Sequence, residues 1–79
     1  MSPTVFREGS FRFYFFSREE ERMHVHVQGT DGETKFWLEP EIELATSIGL
    51  RRHQLNAIWH MVEEHQDEIR NAWKRHFQS

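Results

Sequence analysis

Hydrophobic and polar residues alternate along the first half of the chain. The apolar members recur at every second residue within three segments: Phe11, Phe13, Phe15, Val25, Val27, Phe36 and Leu38. Because successive side chains of a β-strand point to opposite faces, this period predicts strands with one apolar and one polar face. The apolar faces are expected to form one side of a core.

Turn-forming residues separate these runs. Gly9-Ser10 follows TVFRE, and a glycine at the first position of a two-residue loop predicts a hairpin with a type II′ turn. Asp31-Gly32 lies between MHVHVQG and ETKFWLE and predicts a second hairpin with a type I′ turn. The runs are therefore expected to form an antiparallel meander.

A proline follows the fourth run. Pro40 has no backbone N–H and cannot donate a hydrogen bond within a central strand. The next residues, EIELA, are therefore expected to form either a short edge strand or the run into the helical part.

From Arg51 onward the period changes to that of an amphipathic helix. The apolar stripe consists of Leu55, Ile58, Trp59, Val62, Ile69, Trp73 and Phe77. One helix over residues 51–78 would be about 42 Å long, whereas strands of six to eight residues span about 20–26 Å. Gln66 interrupts the stripe and Asp67 is a good N-cap residue, so we predict a break near residues 64–67. An unbroken helix would overhang the sheet and imply a dimer.

These patterns predict an α+β fold. Four or five antiparallel strands form a meander, and a C-terminal helical segment, either one broken helix or two consecutive helices, packs on one face. A single domain is expected over residues 1–79, with the sheet in residues 1–46 and the helices in residues 50–79.

Composition narrows the functional class. The chain has 79 residues, no cysteine and a net charge of −3. The lack of cysteine excludes a disulfide framework, and the charge does not fit a dedicated duplex-binding protein. The sequence shows neither a membrane-spanning apolar run nor a signal-peptide pattern, so a cytoplasmic protein without membrane attachment is expected.

The polar face of the predicted sheet collects most of the chemically active side chains. Its members are Arg12, Tyr14, Phe16, His24, His26, Lys35, Trp37 and Glu39. Because His24 and His26 are two residues apart on a strand, both imidazoles are expected to point away from the core and into water.

Three interpretations of this face remain open. The first is an ordinary solvated face or a protein contact, with Arg12, Tyr14, Lys35 and Trp37 as the partner-binding residues. The second is a phosphate or RNA site. There Arg12 and Lys35 would bind the anion, and Tyr14 or Trp37 would stack on a base.

In that second interpretation His24 and His26 are the catalytic candidates, as general acid and base, and whether the protein is an enzyme stays open. The third interpretation is a metal site on the same His-x-His pair, whose α-carbons would lie about 6.6 Å apart. Two ligands are too few for zinc, and only Glu39 or an acid of SREEER could add another. No metal site and no cofactor are therefore predicted.

The segment PTVFREGSFRFYFFSREEERMHVHVQGTDGETKFWLEP, the later IGL and the tail HQDEIRNAW closely resemble a bacterial family of short proteins, domain of unknown function 4160. The resemblance covers essentially the whole chain. Its hallmark is a His-x-His-Val motif, here His24, His26 and Val27, and its last helix ends in a tryptophan that matches Trp73. The chain departs from the family pattern by lacking prolines before His24 and by having Arg51 where a small hydroxyl residue is usual.

The resemblance implies a component of a toxin–antitoxin-like two-gene module, without an agreed biochemical activity. The favoured hypothesis is contact with a protein partner encoded nearby, through the face around the histidine pair. The alternatives are a ribonuclease-like toxin or RNA-binding protein that uses the same face, and a metal-binding His-x-His site. The sequence also leaves open whether the chain forms a homodimer.

Overall fold

The computed structural model describes residues 4–16 and 22–77 of the chain. Its elements are β1 (Thr4–Glu8), β2 (Phe11–Tyr14), β3 (His24–Gln28), β4 (Glu33–Trp37), β5 (Glu43–Ile48), α1 (Arg52–Glu64) and α2 (Gln66–Phe77). The five strands form one sheet in the order β1-β2-β3-β4-β5, and every neighbouring pair is antiparallel. The predicted α+β fold, a meander followed by two helices, is confirmed.

The two hairpins differ from each other. In the first, Gly9 has φ 60°, as the first loop position of a type II′ turn requires, and this prediction is confirmed. In the second, Gln28 pairs with Glu33, so four residues remain for the loop. The predicted type I′ turn is wrong. Such a turn needs a positive φ at both Asp31 and Gly32, and neither residue has one. Loops of four residues are most often built around a right-handed type I turn instead.

The residues after Pro40 form the edge strand β5. The edge-strand alternative is therefore confirmed, although the strand covers Glu43–Ile48 rather than the predicted EIELA. A register shift between Lys35 and Phe36 marks a bulge in the pairing of β4 with β5. Bulges are common at sheet edges, where they bend the strand and blunt pairing with other chains.

The apolar residues of the strands face the two helices, as predicted. The buried cluster consists of Phe13, Phe15, Met23, Val25, Val27, Phe36, Leu38, Ile58, Val62, Ile69 and Trp73. Cross-strand pairing aligns the strand residues of this cluster: Phe13 lies opposite Val27, and Val25 lies opposite Phe36. We call this side of the sheet the inner face and the opposite side the outer face. Neither helix of the described chain is long and apolar enough to cross a membrane.

Gln54 secures the start of α1. Its Oε1 accepts a hydrogen bond from the Arg51 N–H at 2.8 Å, and its Nε2 donates to Asp31 Oδ2 at 2.9 Å. The helix therefore begins without a small hydroxyl cap, because the third helical residue satisfies a free amide and ties α1 to the β3–β4 loop.

The predicted break between the helices is confirmed, with His65 as the residue between α1 and α2. Asp67 lies in the first turn of α2 and is not its cap. The His65 ring packs 4.2 Å from the Phe6 ring, and each ring nitrogen lies 3.0 Å from a carboxylate, Nδ1 from Glu68 and Nε2 from Glu8. Both nitrogens can donate only when the ring is protonated. The hydrogen bond to Glu68, aided by Glu8, raises the pKa of His65 against the opposing effect of burial.

This contact predicts a pH dependence of stability. Because the pKa of His65 is raised on folding, its contribution is complete below the unfolded-state pKa of about 6.5 and is lost as pH rises through the folded-state value. The free energy of unfolding is therefore expected to fall by no more than about 1 kcal/mol across that rise, since the ion pairs are partly exposed. Urea unfolding of the wild type and of His65→Gln between pH 6 and 8 measures it.

The matched control for this prediction is His60→Gln. His60 lies 3.5 Å from Glu63, but its side chain is 76% exposed. We expect the wild-type pH dependence to persist in this control and to flatten in His65→Gln. An unchanged slope in His65→Gln would contradict the account.

Candidate functional site

Strand pairing gathers the predicted residues on the outer face. Tyr14 lies opposite His26, His26 lies opposite Lys35, and His24 lies opposite Trp37. These pairs belong to the three central strands, so their side chains are neighbours in a single patch. The predicted adjacency of these residues is confirmed.

His24 is fully buried, with 0% of its surface exposed. Its ring lies 5.5 Å from Trp37 and 5.0 Å from Trp73, between centroids, and Trp73 belongs to α2. The expectation that His24 points into water is therefore wrong. His24 is the first residue of β3, so it lies at the end of the sheet, where a side chain of α2 can reach it.

A backbone hydrogen bond fixes the orientation of this ring. His24 Nδ1 lies 2.7 Å from the carbonyl oxygen of Arg22. Because a carbonyl oxygen can only accept, Nδ1 carries the proton. A buried ring held in this way is suited to positioning its neighbours, and its burial argues against direct contact with a substrate.

His26 is the more accessible member of the pair and is half-buried. Its ring lies 5.4 Å from Tyr14 in a stacked arrangement and 4.4 Å from Phe16. Phe16 is 44% exposed, whereas Tyr14 is only 5% exposed. The side chain presented at this point of the surface is therefore Phe16, and Tyr14 lies beneath it.

Three cations rest on aromatic rings of the outer face. The Arg12 guanidinium lies 4.5 Å from the centroid of Tyr14, and Arg22 and Lys35 lie 4.2 Å and 4.3 Å from that of Trp37. Cation–π contacts of this kind hold long side chains in defined positions. Trp37 thus already contacts two cations, and Tyr14 is nearly buried, so neither ring is well presented for stacking on a base.

Arg22 is an outer-face residue that the sequence analysis missed. Its Nε donates to the Glu39 carbonyl oxygen at 2.9 Å, and its Nη2 lies 3.4 Å from Glu43. Arg22 lies two residues before His24, so extending the alternation of β3 back by two residues would have placed it on this face. Glu39, which was predicted on this face as a side chain, takes part through its backbone.

A hollow of about 240 Å³ lies on the outer face between Phe16 and Ile48. The rest of its lining consists of His26, Glu33, Thr34, Lys35 and Thr46. Ile48 is 68% exposed, so most of its apolar side chain faces solvent. Ile48 was not among the predicted residues, because the sequence left open whether this segment forms a strand.

The metal interpretation gains no support from the described residues. No group of three or more His, Cys, Asp or Glu side chains within residues 4–16 and 22–77 is arranged to hold a metal ion. The acids of SREEER, considered as additional ligands, fall in residues 17–21 and lie outside the described part of the chain.

Comparison with known proteins gives one finding. The model of a family described as "Domain of unknown function (DUF4160)" matches residues 10–74. This span runs from the first hairpin into α2 and includes both histidines, Trp37 and Trp73. Neither the curated proteins nor the solved structures give a match.

Proposed function

The chain belongs to the family of domain of unknown function 4160, and from this premise we propose that it works by binding a protein partner through its outer face. The partner is the product of a neighbouring gene, in a toxin–antitoxin-like pair. The observation that carries the proposal is the pair of exposed apolar side chains, Phe16 and Ile48, on either side of the 240 Å³ hollow.

The composition of this region supports a protein contact. Interfaces are enriched in aromatic residues and arginine, and their strongest contacts are apolar anchors seated in pockets. The hollow offers such a pocket, in which apolar surface from Phe16 and Ile48 meets the charged side chains of Glu33 and Lys35. Arg12 and Arg22 are already ordered on Tyr14 and Trp37, so less side-chain entropy is lost when a partner binds.

The ribonuclease alternative has less support. General acid–base catalysis by the histidine pair needs both rings within hydrogen-bond reach of a substrate, whereas His24 is fully buried. Base stacking needs an accessible aromatic face, and Tyr14 is only 5% exposed. His26 is the histidine that an enzymatic version would have to use.

The test is the affinity for the neighbouring gene product, measured by calorimetry after the two proteins are purified together and separated. Phe16→Ser and Ile48→Ser are each expected to weaken binding about tenfold or more, because each removes an apolar anchor. The matched control is Leu44→Ser. Leu44 is 43% exposed but lies opposite Phe36, on the inner-face side of β5.

Three results would contradict the proposal. They are the absence of a complex, equal weakening by Leu44→Ser, and self-association of the isolated chain through the hollow in place of partner binding. RNA cleavage that is lost in His26→Ala, without any stable partner, would favour the enzymatic alternative.

A further inference from the structure

A separate cavity lies where the loop between β4 and β5 meets both helices. Its volume is about 410 Å³, which is within the range of about 300–1,000 Å³ usual for small-ligand pockets. Each of the three elements contributes one charged residue to its lining: Glu41 from the loop, Glu63 from α1 and Arg70 from α2. The cavity thus presents one positive and two negative charges.

Arg70 has no carboxylate partner among the described residues. It is half-buried, and the hydrogen bond of its side chain within residues 4–16 and 22–77 is a long one, 3.4 Å from Nη2 to Gln66 Oε1. Neither Glu41 nor Glu63 is within ion-pair distance of it, although both line the same cavity. A half-buried guanidinium in this position is suited to a ligand carboxylate, whose two oxygens match its paired N–H donors.

The two glutamates of the cavity can accept hydrogen bonds from a cation. Glu41 is exposed and forms no ion pair with another described residue. Glu63 lies 3.5 Å from His60, but the His60 side chain is 76% exposed and the pair is therefore weak. Because carboxylates only accept, both glutamates match N–H donors of a ligand.

An aromatic residue completes the cavity. Trp59 of α1 is half-buried and lines it together with Pro40 and Ile42 of the loop. The cation–π contacts between described residues use Tyr14 and Trp37 and leave Trp59 without a cation. Indole is the aromatic group that binds cations best, and its apolar surface also packs well against an alkyl chain.

We propose that this cavity binds a free basic amino acid, arginine or lysine. Such a molecule carries one carboxylate and two cations, so its charges complement those of the cavity. Its carboxylate accepts from Arg70, its two cations donate one each to Glu41 and Glu63, and its alkyl chain packs on Trp59. A simple cation would leave the guanidinium without a partner, and a simple anion would leave both carboxylates. This site does not depend on the proposed partner contact.

The experiment is an NMR titration of the tryptophan indole N–H resonances near neutral pH and at constant ionic strength. The probes are L-arginine and L-lysine, with three analogues: agmatine lacks the carboxylate, Nα-acetyl-L-arginine lacks the α-ammonium group, and L-citrulline lacks the side-chain charge. We expect a saturable shift of the Trp59 resonance with arginine and lysine, and little change at Trp37 and Trp73. Each analogue should bind about tenfold or more weakly than arginine, because it loses a charge-assisted hydrogen bond.

Matched variants assign each charge of the ligand to its residue. Arg70→Gln should weaken arginine binding about tenfold or more without weakening agmatine binding, because agmatine has no carboxylate. Glu41→Gln and Glu63→Gln should each weaken arginine binding. The controls are Glu64→Gln and Arg75→Gln, which remove the same charges from exposed positions outside the cavity and should leave the affinity unchanged. Folding of each variant is checked by its amide spectrum, and the analogue series needs no substitution at all.

Four outcomes would overturn the proposal. The first is the absence of a saturable Trp59 shift with both arginine and lysine. The second is equally tight binding of agmatine or citrulline, which would show that the charges of the ligand are not recognised together. The third is equal weakening by Glu63→Gln and Glu64→Gln, which would show a response to net charge alone. The fourth is equally tight binding of Nα-acetyl-L-arginine, which would point to the C-terminal residue of a polypeptide instead of a free amino acid.

Discussion

Replacing His24 with alanine is expected to lower the free energy of unfolding by about 2–4 kcal/mol. The change removes a fully buried ring from its contacts with Trp37 and Trp73, and it leaves the Arg22 carbonyl oxygen without its donor. A cavity in a core and an unsatisfied buried acceptor each destabilise a protein by amounts of this order. Urea unfolding followed by tryptophan fluorescence measures the loss.

Two other variants separate the causes. His24→Asn retains a donor near the position of Nδ1 while removing most of the ring, so it should be more stable than His24→Ala but less stable than the wild type. His26→Ala removes a half-buried ring and should cost only about 1 kcal/mol. A stability of His24→Ala within 0.5 kcal/mol of the wild type, roughly the usual range for surface substitutions, would contradict a structural role.

Replacing Trp73 with alanine is expected to have the largest effect, a loss of about 3–5 kcal/mol in the free energy of unfolding. The indole lies 5.3 Å from Phe15, 4.2 Å from Phe77 and 5.0 Å from His24, between ring centroids. It thus joins α2 to both the inner-face cluster and the His24 ring. Thermal and urea unfolding, followed by far-ultraviolet circular dichroism, measure the loss without relying on tryptophan emission.

Trp59→Ala is the matched control for Trp73→Ala. Trp59 is half-buried and its ring contact with Phe36 has a centroid distance of 5.6 Å, so the same substitution should cost distinctly less. The double variant of His24 and Trp73 adds a second test. Because the two rings touch, their effects should depart from additivity by about 0.5–1.5 kcal/mol. Equal losses at the two tryptophans, or strict additivity, would show that α2 is held in some other way.

The fold was predictable because its signals are local. Alternating apolar residues define the faces of β2, β3 and β4, and Gly9 at the first hairpin fixes the order of pairing. The apolar stripe and the polar Gln66 locate the break between the helices within the predicted range. Each of these features depends on residues close together in the sequence, so a period or a turn residue reveals them.

The site was predictable only in part, because burial depends on contacts between distant residues. The alternation correctly places His24 and His26 on one strand face, but it carries no information that Trp73, some fifty positions later, covers the first of them. Arg22 contacts Trp37 from a position two residues before β3, to which the alternation was not extended. The exposure of Ile48 depends on β5 being an edge strand, which the sequence left open.

The direct pairing of Arg7 with Arg12 shows the same limit. Arg12 was assigned to the outer face from the alternation, whereas Arg7, which lies five residues earlier, was not considered. Their direct pairing follows from the register of the first hairpin, which the turn type sets. Reading the register from the Gly9-Ser10 loop would have found the pair.

The central claim is that the outer face, and not the helical side, meets the partner. Methyl NMR spectra of the isoleucine- and leucine-labelled chain, with and without the neighbouring gene product, test it most directly. Ile48 lies at the hollow and is 68% exposed, and Leu44 is 43% exposed on the other side of β5. Ile58 of α1 and Ile69 of α2 are buried. We predict a large shift of the Ile48 methyl resonances and little change at the other three. Shifts confined to Leu44 and the helices, with Ile48 unmoved, would contradict the account.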